Sequence, residues 1–335
     1  MGLTTAQIKK IPGARKAAMP EFIPPQLATL VREPPSGDEW LHELKFDGYR
    51  MVCHLTRGKA HFWSRNGKDW TEKFPNLAAA LKTFPATTAI LDGEVVVVDK
   101  AGRSSFQRLQ QSMGRGGDKV PAFVFEVFDL IYLDGYSLTR TPLRERKAAL
   151  EQLLGTAKTK AQGPLRYSDH VEGNGALFFK QACEYGIEGI VSKLAASPYE
   201  STRTRNWLKT KCIKRQEFVI AGYTPSKNDF PGFGSLVLGV YDKGKLIYCG
   251  RVGTGFSIKQ RLEIQKKLDR LSQAVMPLTA IPKDPGLRAA HWAKPQLVGE
   301  VEFMEWTADG VIRHPSFQGL REDKKPGDIV REEPS

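Results

Sequence analysis

The spacing of apolar positions changes along this chain, and the changes divide it into segments. In "AILDGEVVVVD" (89–99) and "AFVFEVFDLIYLDG" (122–135), β-branched and aromatic residues run almost unbroken. Both predict strands, and the second closes on an Asp-Gly turn. "NLAAALKTF" and "PLRERKAALEQLL" carry helical spacing, the latter entered through Thr141 as cap with Pro142 in the first turn. "GALFFKQACEYG" predicts another helix, stopped by Gly186. From about residue 21 to 211 short strands alternate with helices, the texture of an α+β domain.

After "KTKCIKRQ" strands take over. "EFVIAGYTPS", "SLVLGVYDKGKLIYCGRVGTGF" and "LVGEVEFMEWTADGVIRH" are apolar runs broken by Lys-Gly and Asp-Gly turns. One helix interrupts them, "SIKQRLEIQKKLDRLSQA", with Ser257 and Gln260 spaced as a capping box. About five strands and one helix in roughly 120 residues predict a small barrel of the OB type. Residues 1–20 are basic and polar without an apolar period, and predict a flexible arm or a linker. The division is thus 1–20 arm, 21–212 first domain and 213–335 barrel domain, with a boundary near 212–216.

Charge narrows the partners. Fifty Lys and Arg against 37 Asp and Glu give a net charge of +13 and a pI near 9.5. That balance favours a polyanion, nucleic acid first, without separating DNA from RNA. No apolar run approaches the roughly 20 residues of a membrane span, and the start lacks a secretory signal. Cys53, Cys183, Cys212 and Cys249 form no CxxC pair. Neither a zinc site nor a disulfide framework is expected, and a reducing cytoplasm is the predicted setting.

The candidate chemistry begins at "ELKFDGYR" (43–50), where Lys45, Asp47 and Arg50 crowd together just after an apolar run. A free lysine is protonated at neutral pH and cannot attack. It becomes a nucleophile only through desolvation or neighbouring positive charge. Further clusters follow in order. "SRNGKDW" is a turn around Arg65. "LDGEVVV" sets Glu94 in an apolar strand, where a lone carboxylate is costly unless it meets a ligand, metal or cation. "EGIVSK" repeats that arrangement with Glu188 and Lys193. "RTRNWLKTK" puts Lys209 and Lys211 two apart, on one face of an extended segment, suited to a phosphate and to depressing the pKa of a third lysine. Each cluster alone also reads as a hairpin turn, a core ion pair or a solvated basic face.

As an ordered set, KFDGYR, SRNG, LDGEVV, FDLIYLDG, EGIVSK and WLKTK, with "RHPSFQGLREDK" near the C-terminus, strongly resemble the motifs of ATP-dependent DNA ligases. These are covalent nucleotidyltransferases, and the resemblance covers residues 20 to 328. "MPEFIPPQLATLV" and "EFVIAGYTPS" make it most similar to the ligase module of the bacterial end-joining ligases. The resemblance implies an α+β nucleotidyltransferase (adenylation) domain followed by an OB-fold domain, with ATP and Mg²⁺ (or Mn²⁺) as cofactors. It implies that Lys45 attacks the α-phosphorus of ATP to form lysyl-AMP, and that Phe128 stacks on adenine. Glu43, Arg50, Arg65, Glu94 and Lys193 would contact ATP or AMP, with Lys209 and Lys211 gripping the α-phosphate. Glu188 and Glu94 would bind the metal, Asp47 would act at the nick, and Arg321 and Lys324 would orient pyrophosphate. Arg103, Gln107, Arg108 and Arg251 would touch the DNA backbone.

The implied substrate is nicked double-stranded DNA, and the implied role is repair by non-homologous end joining. Ku and polymerase or phosphoesterase modules are the implied partners of a monomeric, nucleoid-associated bacterial enzyme. With no separate amino-terminal DNA-binding domain, nick affinity is expected to be weak and salt-sensitive. An RNA ligase or GTP-using capping enzyme keeps the same lysine chemistry, and labelling with ATP against GTP separates it. A non-catalytic OB-fold nucleic-acid clamp is the rival of another class, and the intact set of lysines and carboxylates argues against it.

Overall fold

The protein is described here by a computed structural model over residues 2–99, 102–113, 123–155, 163–226, 231–279 and 284–334. Its contacts separate into two compact units, one ending at Cys212 and the other spanning Ile213–Glu333.

The first unit is built on two sheets. The larger runs Arg15–Lys16, Tyr136–Ser137, Val124–Leu133, Thr88–Val96, Tyr49–Thr56, Lys59–Ser64, with Leu165–Tyr167 added in parallel beside Val124–Leu133. The other runs Val171–Glu172, Trp40–Leu44, Gly189–Leu194, Arg203–Lys211, Leu27–Leu30. Side chains alternate across a strand. In Tyr49–Thr56 the residues Tyr49, Met51, Cys53 and Leu55 enter the main core with Phe62, Leu91 and Phe125. Alternation therefore turns Arg50, Val52 and His54 to the opposite face, where Val52 joins a second cluster with Phe128, Tyr199 and Trp207. In the neighbouring strand Asp92 and Glu94 share that face, and Arg50 sits in register with Glu94. One strand period thus gathers the charged groups on a single side of the larger sheet.

Three expectations are corrected. Residues 2–20 are packed rather than forming a loose arm: helix Thr5–Lys10 is closed by a Thr4–Gln7 capping box and Ile8 is fully buried. Arg15–Lys16 then pairs with Tyr136–Ser137. Ile8 is the one fully buried anchor, with Leu3, Ile11 and Ala14 packed partly against the same core, too few and too irregular to show as a period. Second, helix Leu143–Leu154 takes Pro142 as its N-cap, and the buried Thr141 hydroxyl has no hydrogen-bond partner. Third, Cys183 and Cys212 are joined in a disulfide, with Cα atoms 5.2 Å apart. The antiparallel pairing of Gly189 with Lys211 returns the chain to the end of helix Gly175–Glu184, and that long-range pairing closes a distance of 29 residues in sequence. Cys53 and Cys249 are free and buried.

The second unit carries a five-stranded sheet in the order Lys245–Val252, Phe233–Asp242, Arg215–Pro225, His291–Glu302, Ser316–Leu320. Helix Ile258–Asp269 has the expected Ser257–Gln260 capping box. Lys243 and Gly244, both with positive φ, make the tight turn between Phe233–Asp242 and Lys245–Val252. Phe218, Ile220, Leu238 and Phe317 are fully or almost fully buried in its core. Mixed, mostly sheet units of this kind are the α+β and OB-type architecture expected. Among the described residues no helix is long and apolar enough to cross a membrane.

Candidate active site

Lys45 follows strand Trp40–Leu44, and its backbone N–H donates to the Gly189 carbonyl at 2.9 Å. That bond sets it beside Glu188, whose Oε1 lies 2.5 Å from Lys45 Nζ. The lysine side chain is 21% exposed, so it is held but reachable. Strand Arg203–Lys211 pairs on the far side of Gly189–Leu194, with Lys209 opposite Val191 and Lys211 opposite Gly189. The two lysines therefore share a face, as their spacing predicted.

The electrostatics differ from the expectation of a lysine unloaded by positive neighbours. Burial pulls the Lys45 pKa down, but Glu188, with Asp47 and Glu94 beyond it, outweighs burial and raises it above the ordinary lysine value. Carboxylates, not Lys209 and Lys211, dominate here, and the resting lysine is an ammonium.

Two residues earlier on the same strand lies a different arrangement. Glu43 is buried, and its carboxylate accepts from Lys147 Nζ (2.8 Å), Lys193 Nζ (2.8 Å) and Ser168 Oγ (3.0 Å). Burial pushes its pKa up, yet the two ammonium groups pull it net below the usual value. Burial lowers the pKa of Lys193 to about 8, with Lys147 adding to the effect and Glu43 opposing it. Glu43 and Lys193, both expected at the nucleotide, thus belong to a buried ion-pair cluster that also takes in Lys147 and Ser168. Sequence reasoning missed Lys147, which looks like any helical surface lysine.

Arg50 forms a two-pronged pair with Asp92, Nε to Oδ1 at 2.6 Å and Nη2 to Oδ2 at 2.7 Å. Its Cζ lies 4.5 Å from the Phe128 ring centroid, and Lys193 Nζ lies 4.3 Å from the same centroid. The aromatic assigned to adenine is therefore buried and approached by two cations. Asp92 carried the same signal as Glu94, a carboxylate in an apolar strand, and was overlooked. Glu94 itself is half-buried between Arg50 and Glu126 in the sheet register. Arg65 is half-buried in the turn that follows Lys59–Ser64, where Gly67 has a positive φ.

Asp47 Oδ2 accepts the N–H of Phe106 at 2.8 Å, and the Asp47 N–H donates to Ser104 Oγ at 2.9 Å. Its carboxylate thus ties the lysine loop to the start of helix Phe106–Met113, rather than standing open for a nick end. Arg103 and Arg108 flank that start, half exposed and each paired with Asp99. Gln107 is half-buried between them.

A cavity of about 360 Å³ opens beside the lysine segment, lined by Leu44, Phe46, Glu126, Arg166 and Phe178 among others. Burial raises the Glu126 pKa to about 7, opposed by Arg166 at 3.7 Å and reinforced by Asp169.

The remaining expected residues lie in the second unit. Arg321 is buried against Asp323 (2.8 and 2.9 Å) and Glu300 (2.8 Å), which together raise its pKa well above the ordinary value despite burial. Lys324 pairs with Glu217 at 2.7 Å. Neighbouring carboxylates thus hold both cations expected to orient pyrophosphate. Arg251 is paired with Asp284 at 2.7 Å and is about one-third exposed.

For a divalent metal, the donor set near Lys45 is Glu188 with Glu94, hard oxygen ligands of the right kind. Among the described residues no group of three or more His, Cys, Asp or Glu closes a protein-only cage. Two carboxylates are a donor set that suits Mg²⁺, which fills the rest of its shell with phosphate and water.

The chain matches known proteins over most of its length. The family of the ATP dependent DNA ligase domain matches residues 25–211, and that of the ATP dependent DNA ligase C terminal region matches residues 230–324. The multifunctional non-homologous end joining protein LigD of Pseudomonas aeruginosa is 39% identical over 324 residues, covering 96% of this chain and 38% of that relative. The corresponding Mycobacterium tuberculosis DNA repair protein is 35% identical over 298 residues, again 38% of its length. This chain therefore spans well under half of these curated relatives. A solved structure of mycobacterial DNA ligase D complexed with ATP and MES superposes with a TM-score of 0.69 at 34% identity, covering 92% of this chain and 98% of that one. The motif order, the two-unit architecture and these likenesses agree: the chain belongs to the ATP-dependent DNA ligase family.

Proposed function

We propose that this chain seals 5′-phosphate to 3′-hydroxyl breaks in duplex DNA through a lysyl-AMP intermediate on Lys45, within bacterial end joining. The observation that carries the reading is the Lys45–Glu188 pair, a reachable lysine held at 2.5 Å by a carboxylate with Lys209 and Lys211 on the neighbouring strand. Lys45 first gives up its ammonium proton to solvent, to which its side chain is open. Its Nζ then attacks the α-phosphorus of ATP and pyrophosphate leaves. A 5′-phosphate oxygen of the break next displaces Lys45 from the AMP phosphorus, and attack by the 3′-hydroxyl on that 5′-phosphate expels AMP. Lys209 and Lys211 balance charge on the phosphoryl oxygens. Arg50, Arg65 and Glu94 hold the ribose and phosphate side, and Phe128 the base. Glu43 and Lys193 act as frame beneath them.

Mg²⁺ bound by Glu188 and Glu94 with phosphate oxygens would neutralise triphosphate charge and loosen the grip of Glu188 on the lysine proton. Asp47, by its bond to Phe106, couples the lysine loop to the helix that would meet the DNA backbone through Arg103, Gln107 and Arg108. Arg251 would also touch the DNA backbone, and Arg321 and Lys324 would orient pyrophosphate after leaving their carboxylates. The same reading includes Ku and polymerase or phosphoesterase modules as partners in a nucleoid-associated setting; its support is that the matched relatives are named multifunctional non-homologous end joining proteins and that this chain spans 38% of their length.

The test is incubation with Mg²⁺ and α-labelled ATP or GTP, with Lys45→Ala as control, after pyrophosphate treatment to clear bound AMP. Label from ATP alone, stable to alkali and released by warm acid as a phosphoramidate is, absent in the variant and followed by joining of a nicked duplex, is expected. Label from GTP, or label that survives Lys45→Ala, overturns the reading.

A further inference from the structure

Arg50 stands in the proposed nucleotide site, but its own orientation is set elsewhere. Its partner Asp92 is fully buried, and a buried ion pair is stable only when its remaining lone pairs are also satisfied. Tyr199 supplies that bond: its hydroxyl donates to Asp92 Oδ2 at 2.6 Å. The same hydroxyl accepts the backbone N–H of Gln26 at 3.0 Å, so its proton has a single direction left, toward the carboxylate. Arg50 Nη2 closes the circuit by donating to the Gln26 carbonyl at 3.2 Å. The tyrosine is itself pinned, its N–H donating to the Thr139 carbonyl at 2.8 Å and its ring edge-on to Trp207 at 6.1 Å. Trp207 in turn lies two residues before Lys209 on strand Arg203–Lys211.

We infer that Tyr199 is a positioning residue for adenylylation, holding Asp92 so that the Arg50 guanidinium is presented beside Phe128. The tyrosine touches no substrate. It acts through Asp92, which accepts one hydrogen bond from Tyr199 and two from Arg50; the Arg50 side chain is 21% exposed and that of Asp92 0%. It links three separate stretches of sequence, Gln26, Arg50–Asp92 and the segment leading to Lys209. The inference rests on Arg50 being a nucleotide-side contact.

Tyr199→Phe removes one oxygen and keeps the ring packing. Enzyme-adenylate formation is measured against ATP concentration for wild type, Tyr199→Phe, Arg50→Lys and the double variant, with a thermal melt of each. Tyr199→Phe is expected to raise KM for ATP about tenfold with a smaller loss in kcat, the scale of one charge-assisted hydrogen bond. In the Arg50→Lys background the same change is expected to add less than about twofold, because the group it positions is already gone. Full multiplication of the two losses overturns the inference and leaves the reading of Arg50 intact. A loss explained wholly by a lowered folded fraction overturns it too. Normal adenylylation by Arg50→Lys sinks the reading of Arg50 and the inference with it.

Discussion

Glu43 and Lys45 are neighbours on one face of one strand end, and each carboxylate–lysine contact there has a different fate. The Glu43 cluster is closed: Glu43, Lys147 and Lys193 are almost wholly buried and Glu43 has three donors. The Lys45–Glu188 pair is open on the lysine side, with 21% exposure against 6% for the glutamate. Proximity of opposite charges is common to both, so it does not mark chemistry. What separates frame from nucleophile is saturation. A buried charge with every partner in place cannot leave without a large penalty, whereas a reachable lysine with one short contact can exchange it.

The comparison breaks most easily at Glu43. Glu43→Gln leaves two buried ammonium groups facing each other and is expected to cost about 3–5 kcal/mol of stability. Denaturant titration measures the loss, and the folded fraction should still accept label from ATP. If the protein melts normally but no longer labels, Glu43 is a nucleotide ligand after all and the distinction collapses.

The Cys183–Cys212 disulfide sharpens the same contrast, since the loop of 29 residues it closes carries Glu188 from one cluster and Lys193 from the other. Cross-linking a loop of that length constrains the unfolded chain by about 3–4 kcal/mol in the entropic account. Cys183→Ser, or reduction by a dithiol, is expected to lower stability by up to that amount. Thiol counting under denaturing conditions before and after reduction checks the bond, and two free thiols in the untreated protein would remove it from the account.

Glu126 gives the smallest effect and tests burial without saturation. Its pKa rises from 4.5 to about 7, so the folded state binds this proton more tightly than the unfolded one. Its contribution is fully present below about pH 4.5 and is lost as pH rises through about 7. Glu126→Gln should therefore stabilise the protein by up to about 3 kcal/mol at pH 8 and by almost nothing at pH 4.5. Equal melting curves of the two proteins at both pH values would show that Arg166 pairs more strongly than its 3.7 Å separation implies.

Much of the molecule was legible in its residues. Strands with unbroken β-branched and aromatic runs, such as Val124–Leu133, and the Ser257–Gln260 capping box depend on near neighbours only. The order of short motifs around Lys45, Glu94, Glu188 and Lys209 marks the family for the same reason. Residues 2–20 were misread because one buried Ile8 leaves no period. The burial of Glu43 and Lys193 and their pairing with each other and with Lys147 were not legible, because a motif gives residue type but not burial.

The sequence by itself determined which segments become strands, where the two units divide their textures, and which lysine stands at the head of the motif set. The tertiary structure alone decided how the charges pair. Glu43 with Lys147, Arg50 with Asp92, Asp92 with Tyr199, and Cys183 with Cys212 are separated by 29 to 107 residues, and only strand order and register bring them within bonding distance. Local spacing carries the period of a strand or helix, but the direction and saturation of a buried charge depend on which distant strand lies beside it.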